Sequence, residues 1–182
     1  MKLLRERSYQ VGSFTLASGQ ETRHYIDARR TTMSSAGLEL IGHLGLAEIR
    51  RANWRPQVIG GLTLGADPIS YAIALASRHD PPQLDAFTVR KERKRHGLAR
   101  QIEGCFWNGA RVVVIEDVVT TGGSALRAIE ILGQEGAAIA GVLTVVDRQE
   151  GGKEAIERAG YSLRSLVTLA DLVGDTALDP ID

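Results

Sequence analysis

The chain has a single cysteine, Cys105, in 182 residues, which excludes an internal disulfide and agrees with a reducing compartment. It sits in the run Cys105-Phe106-Trp107, an apolar neighbourhood that disfavours a thiolate, so no nucleophilic role is expected of it. Long hydrophobic runs are missing too. No stretch approaches the roughly 18 apolar residues of a membrane span, and the start, MKLLRERSYQ, has no apolar signal core. A cytoplasmic protein with no membrane contact is expected. Nor is there an excess of one charge: Lys+Arg and Asp+Glu are both 22, so no global field draws the chain to nucleic acid or membrane. Four histidines (His24, His43, His79, His96) are too scattered to suggest a metal cluster, and there is no internal repeat or low-complexity tract. What remains is an ordinary globular composition, 43% apolar and 24% charged, suited to one domain over 1–182 with a sizeable core.

Against that plain background one stretch stands out, VVVIEDVVTTGGS from Val112 to Ser124. Four consecutive β-branched residues read as a buried central strand, and Glu116 and Asp117 stand together where that strand ends. Acid is costly there and needs a purpose. Thr120, Thr121, Gly122, Gly123 and Ser124 then lead into a helical spacing of apolar residues, Leu126, Ile129, Ile131 and Leu132. A strand, a tight turn and a helix start expose unpaired backbone N–H groups, and glycine lets a ligand approach them. Such a turn suits a dianionic phosphate. It has neither the lysine of GxxxxGK[ST] nor the spacing of GxGxxG.

The rest of the chain reads as alternating strands and helices. Residues 2–10 suggest a short amphipathic helix, and the alternation from Ser13, with Gly19-Gln20 before Tyr25-Ile26-Asp27, suggests a hairpin. Ser34 or Ser35 can cap a helix carrying Leu38, Ile41, Leu44, Ala47 and Ile49. Val58-Ile59 is a short strand, Gly60-Gly61 opens a turn, and in GGLTLGADPIS Asp67 can cap a helix whose first turn holds Pro68 and which runs through Tyr71, Ile73 and Leu75. A strand over Leu84 to Val89 leads into RKERKRHGLAR, six Lys or Arg against one Glu between Arg90 and Arg100. Val142 to Val146 forms a strand ending in VVDRQEGG, an unusual run of charge at the edge where open α/β sheets bind ligands. A surface helix (Lys153 to Ala159), a last strand (Tyr161 to Thr168) and a short closing helix (Leu169 to Val173) follow, before a frayed tail. The order predicts an α/β fold, a mainly parallel twisted sheet flanked by helices on both faces (31–175), with a small N-terminal hood (1–30).

Strand, Glu-Asp, two apolar residues and Thr-Thr-Gly-Gly-Ser resembles the phosphoribosyl-pyrophosphate (PRPP) motif of the type I phosphoribosyltransferases. FTLASGQETRHYIDAR resembles the substrate hood of the orotate-specific members. Arg90, Lys91, Lys94, His96 and Gly97 match their Arg-Lys-x-x-Lys-x-His-Gly run. The matches extend in family order from Phe14 to Arg148. The resemblance implies the type I phosphoribosyltransferase fold and an Mg²⁺-dependent pentosyl transfer from PRPP to orotate in pyrimidine biosynthesis. It implies that Glu116 and Asp117 hold the ribose, and that the turn from Val118 and Val119 through Thr120, Thr121, Gly122, Gly123 and Ser124 holds the 5′-phosphate. It further implies that Arg90, Lys91, Lys94 and His96 close over the pyrophosphate, with Lys94, His96 and Asp117 catalytic, and that Thr120 and Arg148 set the orotate. The magnesium is held mainly through PRPP rather than by a protein cage, and a homodimer with shared sites is implied. Two family lysines are absent, at Ala17 before Ser18-Gly19 and in the first turn at Leu64-Gly65, so other residues must supply that charge, Arg23 being near the first. Pairing of Arg148 with Asp147 or Glu150, a purine as acceptor, and a PRPP sensor without turnover are the rival readings.

Overall fold

The computed structural model describes residues 1–15, 19, 21–92 and 101–174. The chain opens with α1 (Lys2–Ser8) and an antiparallel hairpin, β1 (Tyr9–Thr15) and β2 (Glu21–Ile26), forming a separate two-stranded sheet. A short α2 (Arg29–Thr32) leads to α3 (Ser35–Arg51), whose cap is Ser34: its Oγ accepts from the Gly37 N–H at 3.1 Å. Then come β3 (Val58–Leu62), α4 (Ala66–Ser77), β4 (Asp85–Val89), β5 (Ile102–Gly104), β6 (Arg111–Val119), α5 (Gly123–Gln134), β7 (Ala138–Asp147), α6 (Gly152–Arg158), β8 (Leu163–Thr168) and α7 (Leu169–Gly174).

Six of these strands form one sheet in the order β5-β4-β3-β6-β7-β8, parallel except for β5 at the edge. Its core lies on both faces. Val113 and Ile115 of β6 join Ile41, Ile49, Ile69 and Ile73 of α3 and α4. Val112 and Val114 point the other way, toward Ala125, Ala128 and Leu132 of α5 and Ile156 of α6. That is why β6 reads as unbroken aliphatic sequence: a strand covered on both faces has no polar side to alternate with. The sheet grows outward in opposite directions from β3 and β6, so the chain passes to opposite sides of this pair. The carboxyl ends of two such strands leave a crevice between their connections, and here both connections are rich in glycine.

Several boundaries differ from the sequence reading. Gly60 and Gly61 lie inside β3, not in the turn after it. They are glycine because the neighbouring strands come close: a Cβ at Gly60 would stand 2.2 Å from the Phe87 carbonyl oxygen, and one at Gly61 2.0 Å from that of Ile115. β6 continues past the two acids to Val119, and β7 begins at Ala138 because pairing with β6 extends that far. β5 was not foreseen; three residues after a basic run leave little pattern. Asp67 does not cap α4 but lies within its first turn, where it accepts hydroxyl hydrogen bonds from Thr63 (2.7 Å) and Thr88 (2.8 Å). Leu44, Tyr71 and Leu75 are exposed, the inward stripe being carried by Ile41, Ile49, Ile69 and Ile73. Cys105 is exposed as well, since the apolar neighbours in its sequence do not enclose it.

Leu132 is fully buried on the face of α5 that meets the sheet, whereas Glu130 is exposed. Leu132→Ala is expected to lower the unfolding free energy by about 2–5 kcal/mol, and Glu130→Ala to change it by no more than about 0.5 kcal/mol. Urea midpoints at unchanged m-value check both.

Candidate active site

The crevice at the carboxyl ends of β3 and β6 is a cleft of about 360 Å³. Its floor is the end of β6, with Glu116, Asp117 and Val118, continued by Thr120 and Ser124 at the start of α5. One wall is the connection from β3 to α4, Thr63-Leu64-Gly65, with a cis Thr63–Leu64 peptide. The other is the residue just past β7, Arg148. The end of the hairpin closes the top through Tyr25, Ile26 and Asp27, followed by Arg29, and Lys91 stands at the rim. An adjoining hollow of about 210 Å³ is lined by Val119, Thr121, Gly122 and Gly123 together with Thr120 and Ser124.

Each feature has a local cause. Gly122 takes a left-handed φ of 83°, turning the chain from β6 into α5, and no side chain caps that helix. Its first amides are therefore available to an anion rather than satisfied by a serine or threonine. On the opposite wall, a Cβ at Gly65 would approach Asp117 Oδ1 to 2.7 Å. The first glycine turn is thus held directly against an acid of the second. Asp67 fastens that turn to β4 through Thr63 and Thr88, and Thr88 is also within 3.0 Å of the Tyr71 hydroxyl.

The two acids differ in surroundings. Glu116 is 7% exposed and its Oε2 is buried without a hydrogen-bond partner. Burial first, and then the negative charge of Asp117 beside it, push the Glu116 carboxyl up to about 8; Lys91 pulls weakly the other way. Asp117 accepts the Val118 N–H on Oδ1 at 2.9 Å.

Arg148 is 5% exposed. Its Nε and one terminal nitrogen both reach Oε1 of Glu150, at 2.8 and 2.7 Å, and that same terminal nitrogen lies 3.3 Å from the Thr22 hydroxyl of β2. Its backbone N–H donates to the Val119 carbonyl at 2.9 Å, tying the end of β7 to the end of β6. The Glu150 pairing considered from sequence is present, with the Arg148 end buried in the cleft wall and the Glu150 end partly exposed.

Of the residues singled out in the sequence, the cleft and its hollow bring together Lys91, Glu116, Asp117, Val118, Val119, Thr120, Thr121, Gly122, Gly123, Ser124 and Arg148. Arg90 is not among them: it lies 3.7 Å from Glu103 of the neighbouring strand β5. Lys94, His96, Gly97 and Ala17 lie outside the described residues. Arg23 is exposed and does not line the cleft; the cation contributed from this end of the hood is Arg29. Its guanidinium sits 2.9 Å from Asp27, which raises its pKa, with a smaller contribution from Asp117. Arg29 was legible only as the last letter of the hood motif. Thr22 gave no signal, because its partner Arg148 is distant in sequence, and Asp67 read as a cap because its bond from Thr88 of β4 is not encoded locally.

Known proteins agree with this geometry. A family profile described as a phosphoribosyl transferase domain matches residues 48–162. The orotate phosphoribosyltransferase of Aquifex aeolicus is 46% identical over 175 residues, covering 94% of both chains. That of Mycobacterium avium is 48% identical over 172 residues, covering 94% of this chain and 93% of the other. A crystal structure of the Mycobacterium tuberculosis H37Rv orotate phosphoribosyltransferase in complex with PRPP superimposes with a TM-score of 0.79 at 43% identity, covering 94% and 95% of the two chains. With two glycine turns facing each other across paired acids, and relatives matched over nearly their whole length, the chain belongs to the orotate phosphoribosyltransferase family.

Proposed function

We propose that the protein transfers the 5-phosphoribosyl group of PRPP to orotate, releasing pyrophosphate and forming orotidine 5′-monophosphate for pyrimidine synthesis. The observation that carries this is the meeting, in one cleft, of a buried guanidinium, two adjacent carboxyl groups and an uncapped helix start. The hollow at the start of α5 would take the 5′-phosphate on the Thr120 to Ser124 amides. Glu116 and Asp117 would accept from the ribose hydroxyls, where their charge favours the cation developing at the anomeric carbon. Arg148 would meet the orotate carboxylate with Thr120 beside the ring; a purine offers no carboxylate there. Lys91 at the rim, with Lys94 and His96 farther along the basic run, would neutralise the departing pyrophosphate. Arg127 of α5 donates to the Lys91 carbonyl at 2.6 Å, anchoring the start of that run beside the phosphate hollow.

The residues present fit a magnesium ion carried by the substrate. Among the described residues no three acids or histidines form a metal cluster, yet Glu116 holds an orphaned buried oxygen beside Asp117. Mg²⁺ is commonly held by one or two carboxylates plus phosphates. Bound with PRPP, it would supply charge neutralisation at the pyrophosphate and ribose oxygens, with Glu116 and Asp117 completing its surroundings. We further propose a cytoplasmic homodimer in which the basic run of one subunit serves the partner's site. The exposed single cysteine suits a reducing compartment. No helix among the described residues is long and apolar enough to cross a membrane.

Loss of orotate absorbance with PRPP and Mg²⁺ tests the reaction directly. Arg148→Ala should raise KM for orotate more than about tenfold and leave KM for PRPP within about threefold, while Lys94→Ala should depress kcat more than about tenfold. Orotate left untouched, with another base consumed, would refute the assignment. Mixing Lys94→Ala with Asp117→Asn subunits should restore activity, because one site of the mixed dimer then holds both native residues; independent sites would give none. The Glu116 carboxyl fixes a pH dependence of the unliganded protein. Its folded value of about 8 exceeds its ordinary 4.5, so the folded state holds a proton that the unfolded chain gives up across that window. This group's contribution to stability therefore falls as pH rises from 4.5 to about 8. Glu116→Gln should raise Tm at pH 8 by at least about 3 °C and change it little at pH 5, read by thermal scans without ligand.

A further inference from the structure

Arg148 offers five N–H groups, and the structure spends them unevenly. Glu150 takes the edge formed by Nε and one terminal nitrogen, and it does so with one oxygen, Oε1. The second hydrogen of that terminal nitrogen faces Thr22 at a long 3.3 Å. The other terminal nitrogen has no protein partner among the described residues and belongs to a side chain that lines the cleft. One edge of the guanidinium is thus locked; the free terminal nitrogen, and its neighbour once the long Thr22 contact yields, are left for a ligand carboxylate.

The two partners are not equally buried. The Arg148 side chain is 4% exposed and that of Glu150 31%. A buried ion pair adds little net stability, because desolvation offsets the Coulomb gain. A half-exposed carboxylate reaching inward with a single oxygen is better suited to fixing direction. Glu150 is placed for this by the turn before it, where Gln149 takes a left-handed φ of 59° and its N–H donates to Asp147 Oδ1 at 2.8 Å. Gln149 Oε1 in turn accepts the Ala170 N–H at 3.0 Å, fastening the turn to α7.

We propose that Glu150 is a positioning residue for orotate recognition: by occupying the side edge of the Arg148 guanidinium it aims the end edge at the carboxylate of the base, and it does so through geometry more than charge. This rests on the reaction proposed above. Because only one oxygen is used, a glutamine carbonyl can replace it, whereas alanine releases the guanidinium to turn toward Thr22 or solvent.

Steady-state kinetics on the full-length protein separate the cases. Glu150→Ala is expected to raise KM for orotate about tenfold or more, with KM for PRPP within about threefold; Glu150→Gln is expected to recover KM for orotate to within about threefold of the native value. Should Glu150→Ala not fold, Glu150→Asp, which falls short by one methylene while keeping its charge, is expected to behave as alanine does and not as glutamine. Unchanged KM for orotate in the alanine and aspartate variants, an equal rise in KM for PRPP, or a glutamine variant as impaired as alanine would overturn the proposal. Native protein that consumes orotate alongside unaffected variants refutes the role of Glu150 alone. Native protein that consumes none refutes the reaction itself, and the proposal with it.

Discussion

An acid held at the end of a strand covered on both faces is the constraint around which this molecule is arranged. β6 lies fourth of six strands, with α3 and α4 on one side and α5 and α6 on the other, so Glu116 near its carboxyl end is almost out of reach of water. An ionised carboxylate there is expensive, and a second one on the next residue makes it more so. In the protein alone the expense is avoided by keeping the proton. Only a ligand rich in hydroxyls and accompanied by cations would make the ionised form favourable.

The surroundings of that strand end become intelligible from this. Gly65 lacks a side chain because Asp117 occupies the space where its Cβ would stand, which brings the first turn within reach of whatever the acids hold. A side chain at 65 would require the Asp117 carboxylate to shift, and the cations near this turn come instead from Arg29 and Lys91. Asp67, part-buried beside the same turn, accepts two hydroxyl hydrogen bonds and so contributes rigidity to the wall. Cations at the two ends of the cleft and acids at its centre match a substrate pair with anionic extremities and a sugar between them.

How far this could be read from letters depended on whether a residue acts where it stands. Val112 to Ile115 spelled a buried strand because every residue in it is packed locally by one rule, and Thr120 to Ser124 spelled a turn because glycine and small hydroxylic residues have few other uses in that place. Gly60 and Gly61 carried the same letters for another reason, the close approach of Phe87 and Ile115 from adjacent strands, which no local pattern encodes. Asp67 looked like a cap because caps are the usual employment of an acid at a helix start, and its two threonine partners lie on other segments. Arg90 matched the basic motif but pairs with Glu103 on a strand too short to be foreseen. Arg148 and its partner Glu150 were legible, but not that the guanidinium would be buried while the carboxylate stays partly exposed.

The protonation of Glu116 and the orientation of Arg148 have a common logic. Each is a charged or chargeable group that the fold leaves partly unsatisfied on the side facing the cleft: Oε2 of the acid has no partner, and one terminal nitrogen of the guanidinium has none among the described residues. A fold that satisfied both would be more stable and less able to bind. The desolvation cost is already met by the fold, so a sugar hydroxyl and a carboxylate arriving there meet groups that need not reorganise, and each new hydrogen bond forms in a medium where it is worth more than in water. The two gaps lie on the floor and on one wall of the cleft, at the ends of adjacent strands, and the ladder between those strands is extended by the bond from the Arg148 N–H to the Val119 carbonyl. A shift of β7 against β6 would therefore move the base-binding guanidinium and the phosphate-binding turn together, and the eight aligned pairs from Arg111↔Ala138 to Val119↔Asp147 are what hold that distance.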